Sequence, residues 1–132
     1  MRGSILAITS ILLAGGALST AAAQPVEAPG RNHCFFVTQF ENWHAPDNKT
    51  IFIRASVSRY FRLDLAQTCP ELLWPESHLI MNVHGPDTIC SPIDWDLKVS
   101  TDVHGMAAPC IVKSMTELSP DEVAAIPKKF KP

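Results

Sequence analysis

The segment TIFIRASVSRYFRLDL, residues 50–65, decides the fold of this chain. Its side chains alternate with period two, which is typical of β-strands that bury one face. We predict two strands joined in a hairpin that turns near residues 56–58, with Arg54, Arg62 and Asp64 facing water. The apolar positions of this alternation are Ile51, Ile53, Ala55, Val57, Phe61, Leu63 and Leu65.

Shorter strand signals flank this hairpin. They include residues 79–83, 89–90, 95–99 and 110–112, and the segment 69–74 is predicted to form one helical turn. Downstream, Ser119-Pro120-Asp121-Glu122 has the pattern of a capping box, which predicts a short helix that ends at Pro127. The predicted fold is therefore mainly β: a small antiparallel barrel or sandwich of five to seven short strands with a short C-terminal helix and two disulfides.

The N-terminal region has the pattern of an export signal. A short positive start precedes an apolar run over residues 5–18, and Ala21-Ala22-Ala23 provides a cleavage site. We predict a signal peptide over 1–23, a flexible leader over 24–33, one disulfide-linked β domain over 34–127 and a basic tail over 128–132. The tail composition favours a frayed end. The mature protein is expected to be periplasmic or secreted, with no membrane span after signal cleavage.

Four cysteines follow the predicted cleavage site, and an even number in an exported domain predicts two disulfides. Their spacing does not match a zinc-ligand or thioredoxin-type motif. Three pairings are open from the sequence. We favour Cys34 with Cys110 and Cys69 with Cys90, because these would join the ends of the domain and close its middle loop.

Charge composition excludes one class of partner. The 132 residues carry a net charge of −2 and no dense basic run in the body of the chain. Phosphate binding requires clustered Lys and Arg, so we expect no nucleic-acid partner.

Several segments resemble one family. Residues 59–66 (RYFRLDLA) precede Cys69-Pro70, Ile89-Cys90 precedes Asp94, and residues 110–112 (CIV) precede residues 118–125 (LSPDEVAA). In this order, and with Cys34 and Trp43 upstream, they resemble the small exported bacterial proteins catalogued as domain of unknown function 6491. The resemblance implies an envelope domain with paired cysteines, and it implies no reaction, ligand or catalytic residue.

Two near-identical segments provide the candidate metal ligands. NVHG (82–85) and DVHG (102–105) place His84 and His104 at equivalent positions 20 residues apart. Neutral imidazole binds copper and zinc, so a periplasmic metal site that uses these two histidines is the alternative function. In the simpler interpretation, Val-His-Gly ends a strand and the His side chain faces water.

Catalytic motifs are absent from the sequence. It has no G-x-S-x-G elbow, no H-E-x-x-H and no Gly-rich phosphate loop, and we expect no cofactor. A triad of Ser91, His84 and Asp94 would make the protein a hydrolase of unknown substrate, which is the third interpretation. We regard Asp94 chiefly as a turn residue.

An exposed aromatic side chain is the remaining signal for binding. Tryptophans mostly fill the core of a small domain, but Trp74 is followed by Pro75 and is the best candidate for exposure. The first function prediction is a non-catalytic exported module that binds an unknown protein or a small ligand of the cell envelope.

Overall fold

A computed structural model describes residues 33–101 and 107–132. The predicted signal peptide, nearly all of the predicted leader and His104 lie outside these residues. Within the described ranges the chain forms nine strands and one α-helix. These are β1 (Phe35–Phe36), β2 (Phe40–His44), β3 (Thr50–Ala55), β4 (Arg59–Leu65), β5 (His78–Val83), β6 (Thr88–Ile89), β7 (Trp95–Ser100), β8 (Ala108–Pro109), β9 (Val112–Glu117) and α1 (Pro120–Ala125).

The strands form three antiparallel sheets. One has the order β2-β3-β4-β9, the second has the order β5-β7-β8, and the third pairs β1 with β6. The arrangement is sandwich-like and the described strands do not close into a barrel, so the mainly β prediction is confirmed. Three strands contain only two residues each, which is why there are more strands than the sequence predicts.

The predicted hairpin is confirmed as β3 and β4, in which Ile53 pairs with Phe61. The chain turns at Ser56, which has a positive φ of 62°. Val57 lies in this turn and is 89% exposed, so it does not extend the buried face of β3. On the opposite face, Arg62 is exposed as predicted.

One hydrophobic core lies among the three sheets. The alternating positions of β3 and β4 supply its centre, and Phe35 of β1 and Trp95 of β7 pack into it. The ring of Phe35 lies 5.0 Å from that of Phe61 and 6.5 Å from that of Trp95, measured between ring centroids. The fully buried large side chains are Phe35, Ile51, Ile53, Phe61, Leu63, Ile89 and Val99.

The disulfides connect Cys34 with Cys90 and Cys69 with Cys110, so the predicted pairing is wrong. Antiparallel pairing of β1 with β6 places Phe35 opposite Ile89, and the neighbouring Cys34 thereby lies next to Cys90. The pairing of β4 with β9 continues beyond Leu65, where the Ala66 N–H donates to the Ile111 carbonyl. This brings the Cys69 segment to Cys110. Strand register, rather than position along the chain, decides which cysteines meet.

The C-terminal segment packs against the rest of the domain. Helix α1 has the predicted capping box, in which Ser119 N–H donates to Glu122 Oε2 at 2.8 Å. After α1, residues 128–130 form a 3₁₀ turn, and the ring of Phe130 lies 5.5 Å from that of His44. Pro132 is buried. The apolar residues of the tail therefore pack against the protein, although its lysines are exposed. No helix among the described residues is long and apolar enough to cross a membrane.

Candidate functional site

His84, the described member of the predicted metal pair, lies at the end of β5. Its backbone N–H donates to the Asp94 carbonyl at 2.7 Å, and its Nε2 lies 3.2 Å from Asp96 Oδ2. The β5–β7 register produces this contact because Asn82 pairs with Asp96. Both side chains are more than half exposed. Across residues 33–101 and 107–132, no three His, Cys, Asp or Glu side chains converge as metal ligands.

Asp94 has the turn role that the sequence predicts. Its Oδ2 accepts hydrogen bonds from the backbone N–H groups of Cys90 at 2.8 Å and Ser91 at 2.7 Å. These two donors lower the pKa of the Asp94 carboxyl. The carboxylate thus holds the turn before β7, and the His84 imidazole pairs with Asp96 instead. A Ser91–His84–Asp94 triad needs the His84 imidazole to bond the Asp94 carboxylate. Here the Asp94 carboxylate bonds two backbone N–H groups, and the imidazole pairs with Asp96.

The strongest polar cluster joins Arg59 of β4 to Glu117 of β9. The guanidinium donates to both carboxylate oxygens, at 2.7 and 2.9 Å, and also to the Cys34 carbonyl at 2.8 Å. His33 Nδ1 lies 3.3 Å from Glu117 Oε2. The side-chain hydrogen bond with Arg59 is the main cause of the lowered pKa of Glu117. This cluster fixes the start of the domain to the four-stranded sheet.

Replacing Glu117 by Gln should lower the free energy of unfolding by about 1 kcal/mol at pH 7, since it removes one partner of a half-buried bidentate pair. The pKa of Glu117 is lowered on folding, so this stabilisation is complete above its unfolded value near 4.5 and is lost as the pH falls through the folded value. The measurement is urea denaturation from pH 7 to pH 3. The difference between the two proteins should shrink below pH 4.5.

The matched control is Glu41→Gln. Glu41 pairs with Arg54 at 2.9 Å, but both side chains are more than one-third exposed. We expect a loss below about 0.5 kcal/mol there. Equal losses for the two variants would contradict a special role of the Arg59–Glu117 pair.

A cavity of about 490 Å³ separates α1 from the outer face of the four-stranded sheet. Its charged side chains are already paired: Arg62 Nη2 lies 2.8 Å from Asp64 Oδ1, and Glu122 caps α1. Ser114 Oγ donates to Asp64 Oδ2 at 3.2 Å. These internal partners favour a packing gap over a ligand site.

An aromatic groove lies between the end of β2 and the 3₁₀ turn Pro70–Leu73, with a volume of about 300 Å³. It is lined by Trp43, His44, Ala45, Leu72, Leu73, Trp74 and Ser77. Leu73 is 54% exposed and Trp74 is 53% exposed. The other two tryptophans are less accessible, because Trp43 is half-buried and Trp95 is 3% exposed. The predicted exposure of Trp74 is confirmed.

The local structure explains why Trp74 is exposed. Pro70 starts the 3₁₀ turn and Leu72 anchors it in the core. The turn ends when Trp74 N–H donates to the Glu71 carbonyl at 3.2 Å, and Trp74 has extended backbone angles there. Pro75 follows and has no N–H with which to continue the turn. Leu72 therefore points inward, whereas Leu73 and Trp74 lie on the surface.

A family model matches residues 1–130, and its description is "Family of unknown function (DUF6491)". The chain belongs to this family. No curated protein and no solved structure matches the chain. The description of the family assigns it no activity.

Within this DUF6491 member, sequence reasoning found the exposed tryptophan and the Asp94 turn but missed the Arg59–Glu117 pair. The two residues are 58 positions apart, and only the β4–β9 pairing brings them together. The one available signal was that Arg59 shares the odd-numbered positions of the buried Phe61 and Leu63, whereas the other charges of β4 take the even-numbered positions.

Proposed function

We propose that this DUF6491 protein is a non-catalytic, exported module of the cell envelope that binds a partner through the aromatic groove. The observation that carries the proposal is the exposure of Leu73 and Trp74, side by side and each about half accessible, at the edge of that groove. Tryptophan is enriched in binding surfaces because its large ring buries much area at low entropic cost.

Two further observations support this proposal. The paired cysteines are typical of proteins that fold in an oxidising compartment outside the cytoplasm. Among the described residues, each side chain with a shifted pKa takes part in a pair or a cap that holds the fold; these are Arg59, Asp94, Glu117 and Glu122. The groove would also suit a small ligand of the cell envelope in place of a protein partner.

Photo-crosslinking in the native envelope tests the proposal. The full chain carries p-benzoylphenylalanine in place of Leu73, and the matched control carries it in place of Val57, which is 89% exposed in the β3–β4 turn. We expect a discrete adduct from position 73 and none from position 57. Adding Trp74→Ala to the position-73 variant should reduce the adduct yield at least about fivefold, as expected for loss of a central aromatic contact. Equal adducts from both positions would contradict the proposal.

A copper or zinc site is the second proposal, and the contact between His84 and Asp96 favours it. Two ligand-type side chains already meet there, and the proposal adds His104, which lies outside the described residues, as a further ligand. Metal analysis of the purified protein tests this function. Stoichiometric copper or zinc that is lost in a His84→Ala, His104→Ala variant would establish it, whereas equal metal content in both proteins would exclude it.

A further inference from the structure

The two disulfides differ sharply in accessibility. Cys69 and Cys110 are 3% and 2% exposed and belong to the hydrophobic core. Cys90 is exposed and its partner Cys34 is half-buried. Thiol–disulfide exchange requires an incoming thiolate to reach one of the two sulfurs, so accessibility limits it. Only the Cys34–Cys90 bond can react while the core stays closed.

We propose that the Cys34–Cys90 disulfide is an exchange site for a dithiol, such as the paired cysteines of an extracytoplasmic oxidoreductase, and that Cys69–Cys110 is a purely structural bond. The proposal does not depend on the aromatic groove.

The charged groups near the disulfide determine the direction of the exchange, that is, which of its two sulfur atoms is attacked. The Cys34 carbonyl accepts a hydrogen bond from Arg59 Nη1 at 2.8 Å, and this guanidinium is paired with Glu117, so the charges next to Cys34 offset each other. The Cys90 N–H donates to the Asp94 carboxylate at 2.8 Å, which places a negative group next to Cys90. A thiolate is better stabilised at Cys34 than at Cys90, and the better-stabilised thiolate is the better leaving group. Attack therefore occurs at Cys90 and releases Cys34.

Each step of the exchange is balanced. One thiolate of the dithiol forms a bond to Cys90 Sγ, the Cys34–Cys90 bond breaks, and Cys34 leaves as a thiolate that takes a proton from water. The second thiol of the dithiol loses its proton to water and, as a thiolate, attacks the dithiol sulfur that is bonded to Cys90. That bond breaks, and Cys90 leaves as a thiolate that takes a proton from water. The dithiol loses two electrons and becomes a disulfide, and the protein gains two thiols.

The surrounding strands allow exchange without unfolding. Phe35 and Ile89, which are paired across β1 and β6, are 1% and 0% exposed. Val37 N–H also donates to the Asp87 carbonyl at 2.9 Å. Apolar burial and this hydrogen bond hold the two strands together after the disulfide opens.

Differential alkylation of the purified protein tests the proposal. Dithiothreitol serves as the dithiol under native conditions at neutral pH, and released thiols are trapped with N-ethylmaleimide and mapped by mass spectrometry. We expect Cys34 and Cys90 to be labelled at least about tenfold faster than Cys69 and Cys110, because the buried pair reacts only after opening of the core. Similar rates for both pairs would overturn the proposal.

Glutathione, a monothiol, tests the direction. The mixed disulfide should form at Cys90 in preference to Cys34, and Arg59→Gln should reduce this preference. That variant also loses the pair with Glu117, so a second test uses the wild-type protein. A concentration of about 1 M NaCl screens exposed charges and should also reduce the preference of glutathione for Cys90. The assigned direction would be contradicted if glutathione were found mainly on Cys34. It would also be contradicted if neither Arg59→Gln nor NaCl altered the preference for Cys90.

Discussion

Replacing Cys69 and Cys110 together by Ala should lower the free energy of unfolding by about 4 to 6 kcal/mol. The bond joins residues 41 positions apart, and loss of this constraint on the unfolded chain accounts for about 4 kcal/mol of the effect. The remainder is the loss of two sulfur atoms from residues that are 3% and 2% exposed. Equilibrium urea denaturation, followed by circular dichroism, measures the change.

Replacing Cys34 and Cys90 by Ala is the matched control. These residues are 56 positions apart, so the loop-entropy contribution differs from that of the other bond by only about 0.3 kcal/mol. Both sulfurs lie outside the hydrophobic core cluster, and we expect this double variant to lose about 1 to 2 kcal/mol less. A larger loss from the Cys34–Cys90 deletion would contradict the assignment of the structural and accessible bonds.

Replacing Phe35 by Ala should lower the free energy of unfolding by about 3 to 5 kcal/mol, which is the range for removing a fully buried aromatic side chain. Phe35 is 1% exposed and contacts the rings of Phe61 and Trp95. The cavity that remains would lie where the small β1–β6 sheet meets the other two. Thermal and urea unfolding of the purified variant measure the loss.

The next residue provides the control for this prediction. Phe36 is the same residue type on the same two-residue strand, but it is 52% exposed. Phe36→Ala should change the free energy of unfolding by less than about 1 kcal/mol, because about half of this residue is already in contact with water. Comparable losses at positions 35 and 36 would show that β1 does not have the register described.

The elements predicted best are those whose signal is local. The alternation over residues 50–65 reports which side chains share a face, and β3 and β4 follow it. The Ser119–Glu122 capping box works through hydrogen bonds between residues three positions apart. Exposure of Trp74 follows from Pro75 as its neighbour. In each case the responsible physical interaction spans only a few residues, so the sequence alone contains it.

The elements predicted worst depend on partners that are distant along the chain. The predicted cysteine pairing is wrong because loop closure does not determine which sulfur atoms meet; the β1–β6 and β4–β9 registers do. The contact between the rings of Phe130 and His44 likewise joins residues that are far apart along the chain. These contacts are properties of the assembled surface.

By itself, the sequence determined a mainly β domain with one hairpin at its centre, two disulfides, a capped C-terminal helix and one exposed tryptophan. Only the tertiary structure decided the disulfide partners, the Arg59–Glu117 pair and the groove next to Trp74. The physical reason is the distance along the chain over which each interaction acts. Side-chain periodicity, caps and proline act within one turn or one strand. Disulfides, bidentate ion pairs and grooves instead require two segments that only the strand register brings together.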